Sequence, residues 1–255
     1  MILLQAVKVI SFSLIAFVAA FLLTPLLTRL LERLNTRKRI KRGEDAPVFY
    51  KHHAHKEGTP TMAGVLIWGT IIGIALIFWG LANMFDGLFS YLNFVSRSET
   101  YLPLAAMLLA GLLGMADDLL GVRGIGPNGG GIKIRHKLLV YLFLGIIGAY
   151  WFYIKLGWDV LSVPFYGEVN IGWLYIPFFL FIIVASAFST NETDGLDGLA
   201  GGVVLFAFFA LTGVAFALGR YHLATFGGVT IGALLAFLWY NIHPARFFMG
   251  DTGSM

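Results

Sequence analysis

The residues that could do chemistry in this chain are carboxylates set among glycines. Segment 191–202 reads Asn-Glu-Thr-Asp-Gly-Leu-Asp-Gly-Leu-Ala-Gly-Gly and lies between two long apolar runs. Asn191, Asp194 and Asp197 recur at every third position. On a helix, that spacing would bring neighbouring members together on one face. The surrounding glycines leave room for a ligand or another backbone to come close. A second group, Asp117-Asp118, ends another apolar run. Adjacent carboxylates repel unless a cation neutralises them. Arg123, Lys133, Arg135 and Lys137 follow and could do so. In a functional reading, one carboxylate acts as a base and another as a magnesium ligand, because Mg²⁺ is commonly held by one or two carboxylates plus substrate phosphates. A third acid, Asp251, stands between Gly250 and Gly253 beside Thr252 and Ser254, with His243 and Arg246 just upstream.

The elements that must position these acids are membrane helices. The chain is 58% hydrophobic and 13% charged, with a mean hydropathy of +0.80. A soluble domain carries about 25% charged residues. Measured against the roughly 20 apolar residues needed to cross a bilayer, the sequence predicts seven spans, at 9–31, 62–81, 102–115, 138–154, 171–187, 203–218 and 223–240. The third reads short, because Asp117 and Asp118 stand where its last turn should be. The fold class is therefore all-α, a polytopic transmembrane bundle, taken as a single integral-membrane domain over 1–255. The apolar run at the N-terminus has no cleavable-signal pattern and reads as a retained helix. The chain has no cysteine, which excludes disulfide and thiolate chemistry.

Charge orients the bundle. Of the 18 Lys and Arg residues, only Lys8, Arg97, Lys155 and Arg220 fall on the side that holds the N-terminus. The positive-inside rule makes the other side cytoplasmic and the N-terminus external. All three acid motifs then lie on the cytoplasmic side, a placement that points to a shared site because such residues are seldom structural at membrane depth. The same side carries a polybasic loop with Arg29, Arg33, Arg37, Lys38, Arg39, Lys41 and Arg42. It reads chiefly as a topology anchor that touches anionic lipid, and more sharply as a lure for a phosphate-bearing substrate. His52, His53 and His55 follow, without the partners that a metal site would need. Gly58-Thr-Pro-Thr-Met-Ala-Gly64 leads into the second span. Its Thr and Pro suit a helix start. The loop 121–131 is glycine-rich, but no Gly-Lys-Ser/Thr follows and it does not match a P-loop.

Together these motifs resemble the polyprenyl-phosphate N-acetylhexosamine-1-phosphate transferases, and within them the phospho-N-acetylmuramoyl-pentapeptide transferase (MraY) family. The residues that carry the resemblance are 58–64, Asp117-Asp118, 191–200 and Phe-Phe-Met-Gly-Asp-Thr-Gly-Ser at 247–254. The resemblance implies a multi-pass enzyme of the bacterial inner membrane with its site on the cytoplasmic face. It also implies transfer of phospho-MurNAc-pentapeptide from UDP-MurNAc-pentapeptide to undecaprenyl phosphate, giving lipid I and UMP in peptidoglycan synthesis. Mg²⁺ is the implied cofactor, with Asp251 as its favoured ligand. Asp117 and Asp118 would assist the metal or orient and deprotonate the acceptor phosphate. Asn191 and Asp194 would hold the nucleotide end of the donor. Lys137, with Lys133 as the alternative, would neutralise phosphate, and Asp197 would be structural. Membrane lipid is a partner, a homodimer is raised without being fixed, and nothing points to nucleic acid. The family has ten helices, so the chain reads as C-terminally truncated. Departures from the family pattern are Gly121 and Phe188, where it often has Lys and Asn, and Ala63, where Gly is more usual.

Three other readings remain at this stage. One is a sister enzyme that uses UDP-N-acetylglucosamine. A second is a transporter or channel with acids in its pathway, although here the acids gather at one face. The third is an inactive fragment.

Overall fold

In lipid every backbone N–H and C=O must be satisfied within its own segment, so long apolar runs fold as helices. The computed structural model describes residues 1–37, 58–97, 99–126, 130–163 and 165–255. Lys38, Arg39, Lys41, Arg42, His52, His53 and His55 lie outside the described residues.

The helices in chain order are α1 (Ile2–Arg33), α2 (Gly64–Met84), a short α3 (Leu88–Leu92), α4 (Tyr101–Arg123), α5 (Ile134–Ala149), α6 (Tyr175–Thr193), α7 (Leu199–Ala217), α8 (Tyr221–Asn241) and a one-turn α9 (Asp251–Ser254). Helix α5 continues as a π-helical turn, Tyr150–Lys155. A small antiparallel hairpin pairs β1 (Val160–Val163) with β2 (Gly167–Asn170). Among the described residues, seven helices are long and apolar enough to cross a membrane, which agrees with the all-α polytopic reading.

The third span is not short. Helix α4 runs straight through Asp117 and Asp118 to Arg123 and stops on Gly124, whose left-handed φ of 69° ends it. A membrane helix tolerates acids in its last turns when that end packs on protein, and Asp117 is buried.

Helix α8 forms the axis of the bundle. It is buried along nearly its whole length, and α1, α7 and α2 pack around it. Its small residues let the backbones meet. A Cβ added at Gly232 would come within 2.0 Å of the Ser13 carbonyl of α1. Phe12, Phe237 and Phe247 are buried in the resulting core. Helices α5 and α6 form a second pair, and α6 also meets α7 and α9.

This arrangement brings one end of each of several helices to the same place. The C-terminal ends of α4 and α6 meet the N-terminal ends of α2 and α5 there, together with the segment that follows α8. That segment is tied to the start of α2 by backbone pairing. Phe248 N donates to Pro60 O at 2.8 Å, Ala63 N to Phe248 O at 3.0 Å and Gly64 N to Met249 O at 2.9 Å. The opposite end is fastened separately by the buried Lys8, which donates to the Tyr91 carbonyl at 2.6 Å.

Candidate active site

The site forms where α9 sits against α4. Gly250 adopts φ 72°, ψ 174°, a conformation that an L side chain strains to reach, and it turns the chain into α9. Gly114 lets α4 touch this turn, because a Cβ there would lie 2.0 Å from the Asp251 carbonyl oxygen. Asp251 thus opens a one-turn helix whose backbone rests on the helix carrying Asp117 and Asp118.

Lys137, in the first turn of α5, closes the cluster. Its ammonium is 2.7 Å from Asp117 Oδ2 and 2.8 Å from Asp251 Oδ1. Asp117 also accepts from the backbone N–H of Ile132, so the glycine-rich loop before α5 caps this carboxylate. Asn191, near the end of α6, donates from Nδ2 to Asp251 Oδ1 at 2.5 Å and to Ser254 Oγ at 2.9 Å. Burial opposes the ionisation of Asp251. The hydrogen bond with the Asp117 carboxyl, the Lys137 ammonium and the Asn191 amide outweigh it and hold the Asp251 carboxyl below its ordinary value.

Asp118 is placed differently. Successive helical residues are turned by about 100°, and Asp118 meets Thr252 instead of Lys137. Its Oδ2 accepts from Thr252 N at 2.9 Å and from Thr252 Oγ1 at 2.6 Å. Both bonds hold α9 in place.

The spacing of Asn191, Asp194 and Asp197 does not make one helical face. Helix α6 ends at Thr193 and Asp194 is its C-cap. A turn follows, and α7 begins at Leu199. Asn191 joins Asp251. Asp197 instead lies 2.9 Å from His243 Nδ1 and accepts from Ala245 N at 3.4 Å, so it braces the turn after α8. Of the two lysines singled out, Lys137 reaches the carboxylates. Lys133 is exposed at the N-cap of α5.

Residues 100–255 match the family model described as glycosyl transferase family 4. The chain belongs to this family. It is 37% identical over 254 residues to a phospho-N-acetylmuramoyl-pentapeptide-transferase of Thermoanaerobacter sp. (strain X514), covering 97% of this chain and 72% of that protein. Proteins of the same name from Thermodesulfovibrio yellowstonii and Anoxybacillus flavithermus are 34% and 33% identical, over 95% and 97% of this chain and 67% and 72% of theirs.

The acids of this cluster are held by neighbours to which sequence reasoning gave no role. Asn241 is buried. It accepts from Gly198 N at 3.0 Å and donates to Phe247 O at 2.9 Å, tying the turn before α7 to the segment before Asp251. Its signal was its place, a polar amide closing an apolar span. Thr252 and Ser254 were visible only as company for Asp251. What they bind could not be read before the fold brought α4 and α6 to them.

Proposed function

We propose that this chain transfers phospho-N-acetylmuramoyl-pentapeptide from UDP-MurNAc-pentapeptide to undecaprenyl phosphate, releasing UMP and forming lipid I. The observation that carries the reading is the Lys137 bridge between Asp117 and Asp251, with Asn191 on the same carboxylate. An oxygen of the lipid phosphate bonds to the sugar-bearing phosphorus, and the bond from that phosphorus to the bridging oxygen breaks, so this oxygen leaves with UMP. The lipid phosphate must arrive from the bilayer and the nucleotide from water. A polar cluster at the common end of several membrane helices is where the two can meet, on the cytoplasmic face of the inner membrane by the positive-inside rule.

The donor set suits Mg²⁺. Two carboxylates already surround one cation, the Lys137 ammonium, and magnesium is usually held by one or two carboxylates plus substrate phosphates. Among the described residues, no group of three or more His, Cys, Asp or Glu side chains is gathered to hold a metal, so Asp251 and Asp117 would be the protein ligands. The ion would offset the repulsion between two anionic substrates and stabilise charge on the transferred phosphoryl group.

The chain's own residues do the rest. Lys137 draws phosphate oxygens into the site. Asn191 fixes the rotamer of Asp251. Asp117, capped by the Ile132 amide, is the carboxylate that orients the acceptor phosphate. Asp118 positions α9 through Thr252 and touches neither substrate nor metal. Asp194 and Lys133, at the rim, guide the nucleotide end of the donor. Positioning of two anions at a fixed distance supplies much of the rate.

Transfer of radiolabel from UDP-MurNAc-pentapeptide to undecaprenyl phosphate in detergent, with and without Mg²⁺, tests this. Mg²⁺-dependent lipid I is expected. Product formed only from UDP-N-acetylglucosamine would assign the chain to the sister activity instead.

A further inference from the structure

Tyr141 stands one turn beyond Lys137 on α5, on the same face at the i, i+4 spacing. Its side chain is 2% exposed. Its hydroxyl has no hydrogen-bond partner among the described residues. Buried polar groups are nearly always paired, and one that is not calls for an explanation. The groups within electrostatic reach of the hydroxyl are Lys137, Asp251, Asp117 and Glu192. Of the nearby carboxylates, Asp117 and Asp251 already have other donors, and Glu192 is exposed. Lys137 and the Ile132 amide serve Asp117, and Lys137 and Asn191 serve Asp251. The phenol is thus a spare donor beside a site whose substrates bring acceptor oxygens.

Depth indicates which substrate. Helix α5 begins at the site end and runs into the membrane, so Tyr141 lies about 6 Å further along the helix axis than Lys137. The donor's nucleotide comes from water, whereas the acceptor's phosphate comes on a chain anchored in lipid.

We propose that the Tyr141 hydroxyl donates a hydrogen bond to a phosphate oxygen of the lipid-borne acceptor, next to the oxygen held by Lys137, and is a further substrate-binding residue of the transfer. Tyr141 moves no proton. It holds the acceptor phosphate while an oxygen of that phosphate attacks. Hydrogen bonds to an ionised acceptor are among the stronger ones, and this one replaces an unsatisfied group with a satisfied one. The inference rests on the reading of the site as a polyprenyl-phosphate transferase.

Tyr141→Phe removes the hydroxyl and keeps the ring. The expected result is a KM for undecaprenyl phosphate raised about 5- to 20-fold, a KM for UDP-MurNAc-pentapeptide within about two-fold of wild type, and a melting temperature equal to or above that of wild type. A purely structural role would lower the melting temperature and move both KM values together, and that pattern would overturn the proposal. An unchanged acceptor KM, or a shift in the donor KM alone, would also overturn it. If wild-type protein forms no lipid-linked product, the underlying reading fails instead. Undecaprenyl phosphate binding, followed by thermal shift in detergent, then decides for Tyr141. Weaker binding by Tyr141→Phe sustains the contact, and equal binding removes it.

Discussion

Asn191 and Asp251 stand 60 residues apart in the chain and are joined by a 2.5 Å hydrogen bond from amide to carboxylate. That bond is where α6 meets α9. With the Lys137 bridge it makes the site a joint between three parts of the fold: α4 with α9, α5, and α6. The joint gathers the acids, and it also makes each of them partly structural, so activity and stability must be measured together.

Lys137→Met leaves Asp117 and Asp251 facing each other with no cation between them. Breaking a buried charge pair by removing one partner typically costs about 3–5 kcal/mol. Lys137 is partly exposed (14%), as is Asp251 (26%), so solvent screening should bring the loss below that range. Transfer activity should fall by more than about 100-fold, in line with the loss of a group aimed at developing phosphate charge. Parallel melting curves and initial rates would check both. A variant with near-normal rates would remove Lys137 from the mechanism.

Asp251→Asn and Asp118→Asn should behave differently, because one acid faces Lys137 and the other holds Thr252. For Asp251→Asn, the Mg²⁺ concentration giving half-maximal rate should rise about 10-fold or more, along with a large fall in kcat, as the metal loses a charged oxygen. Asp118→Asn should lower melting temperature and kcat yet leave the Mg²⁺ dependence where it was. A Mg²⁺ titration of each variant decides. A shifted Mg²⁺ curve for Asp118→Asn would restore it as a metal ligand.

Gly114→Val tests the close approach of α4 to the Asp251 turn. Even a bare Cβ would lie 2.0 Å from the Asp251 carbonyl oxygen, which is backbone and has nowhere to rotate. Overpacking of this kind costs about 1–3 kcal/mol, and the displaced turn carries Asp251 with it. Loss of transfer activity with a lowered melting temperature is expected. Gly121→Ala on the same helix meets nothing within 4 Å of its Cβ among the described residues and should leave both unchanged.

Asp251 also makes a pH prediction. Its carboxyl sits below its ordinary value in the folded chain. Its ionised form therefore contributes stability that is fully present above the unfolded value of about 3.9. That contribution is lost as pH falls through the lower folded value. As pH falls below about 3.9, wild-type melting temperature should drop more steeply than that of Asp251→Asn. Equal slopes across a pH series would contradict the assignment.

Much of the molecule could be read from the sequence. The seven spans follow from run length and hydropathy, because a bilayer admits only backbone that satisfies itself. The acids at 117–118, 194 and 251 stood out because carboxylates are rare beside such runs. The sequence also set Lys137 ahead of Lys133. It misjudged the end of α4, since a local pattern cannot show that Asp117 is buried against the loop before α5. The condition under which Asn191, Asp194 and Asp197 would share one helical face is not met, because α6 stops at Thr193, which spacing alone does not reveal.

What only the tertiary structure decided is the partner of each acid. Asp117 and Asp118 are neighbours in the chain with the same side chain, yet one meets Lys137 and the other Thr252. The difference lies in rotation about α4 and in the packing of α9 against Gly114. Hydropathy sets which segments enter the membrane. It carries no information about the angle at which each helix faces its neighbours, and that angle determines which carboxylate meets Lys137 and which meets Thr252.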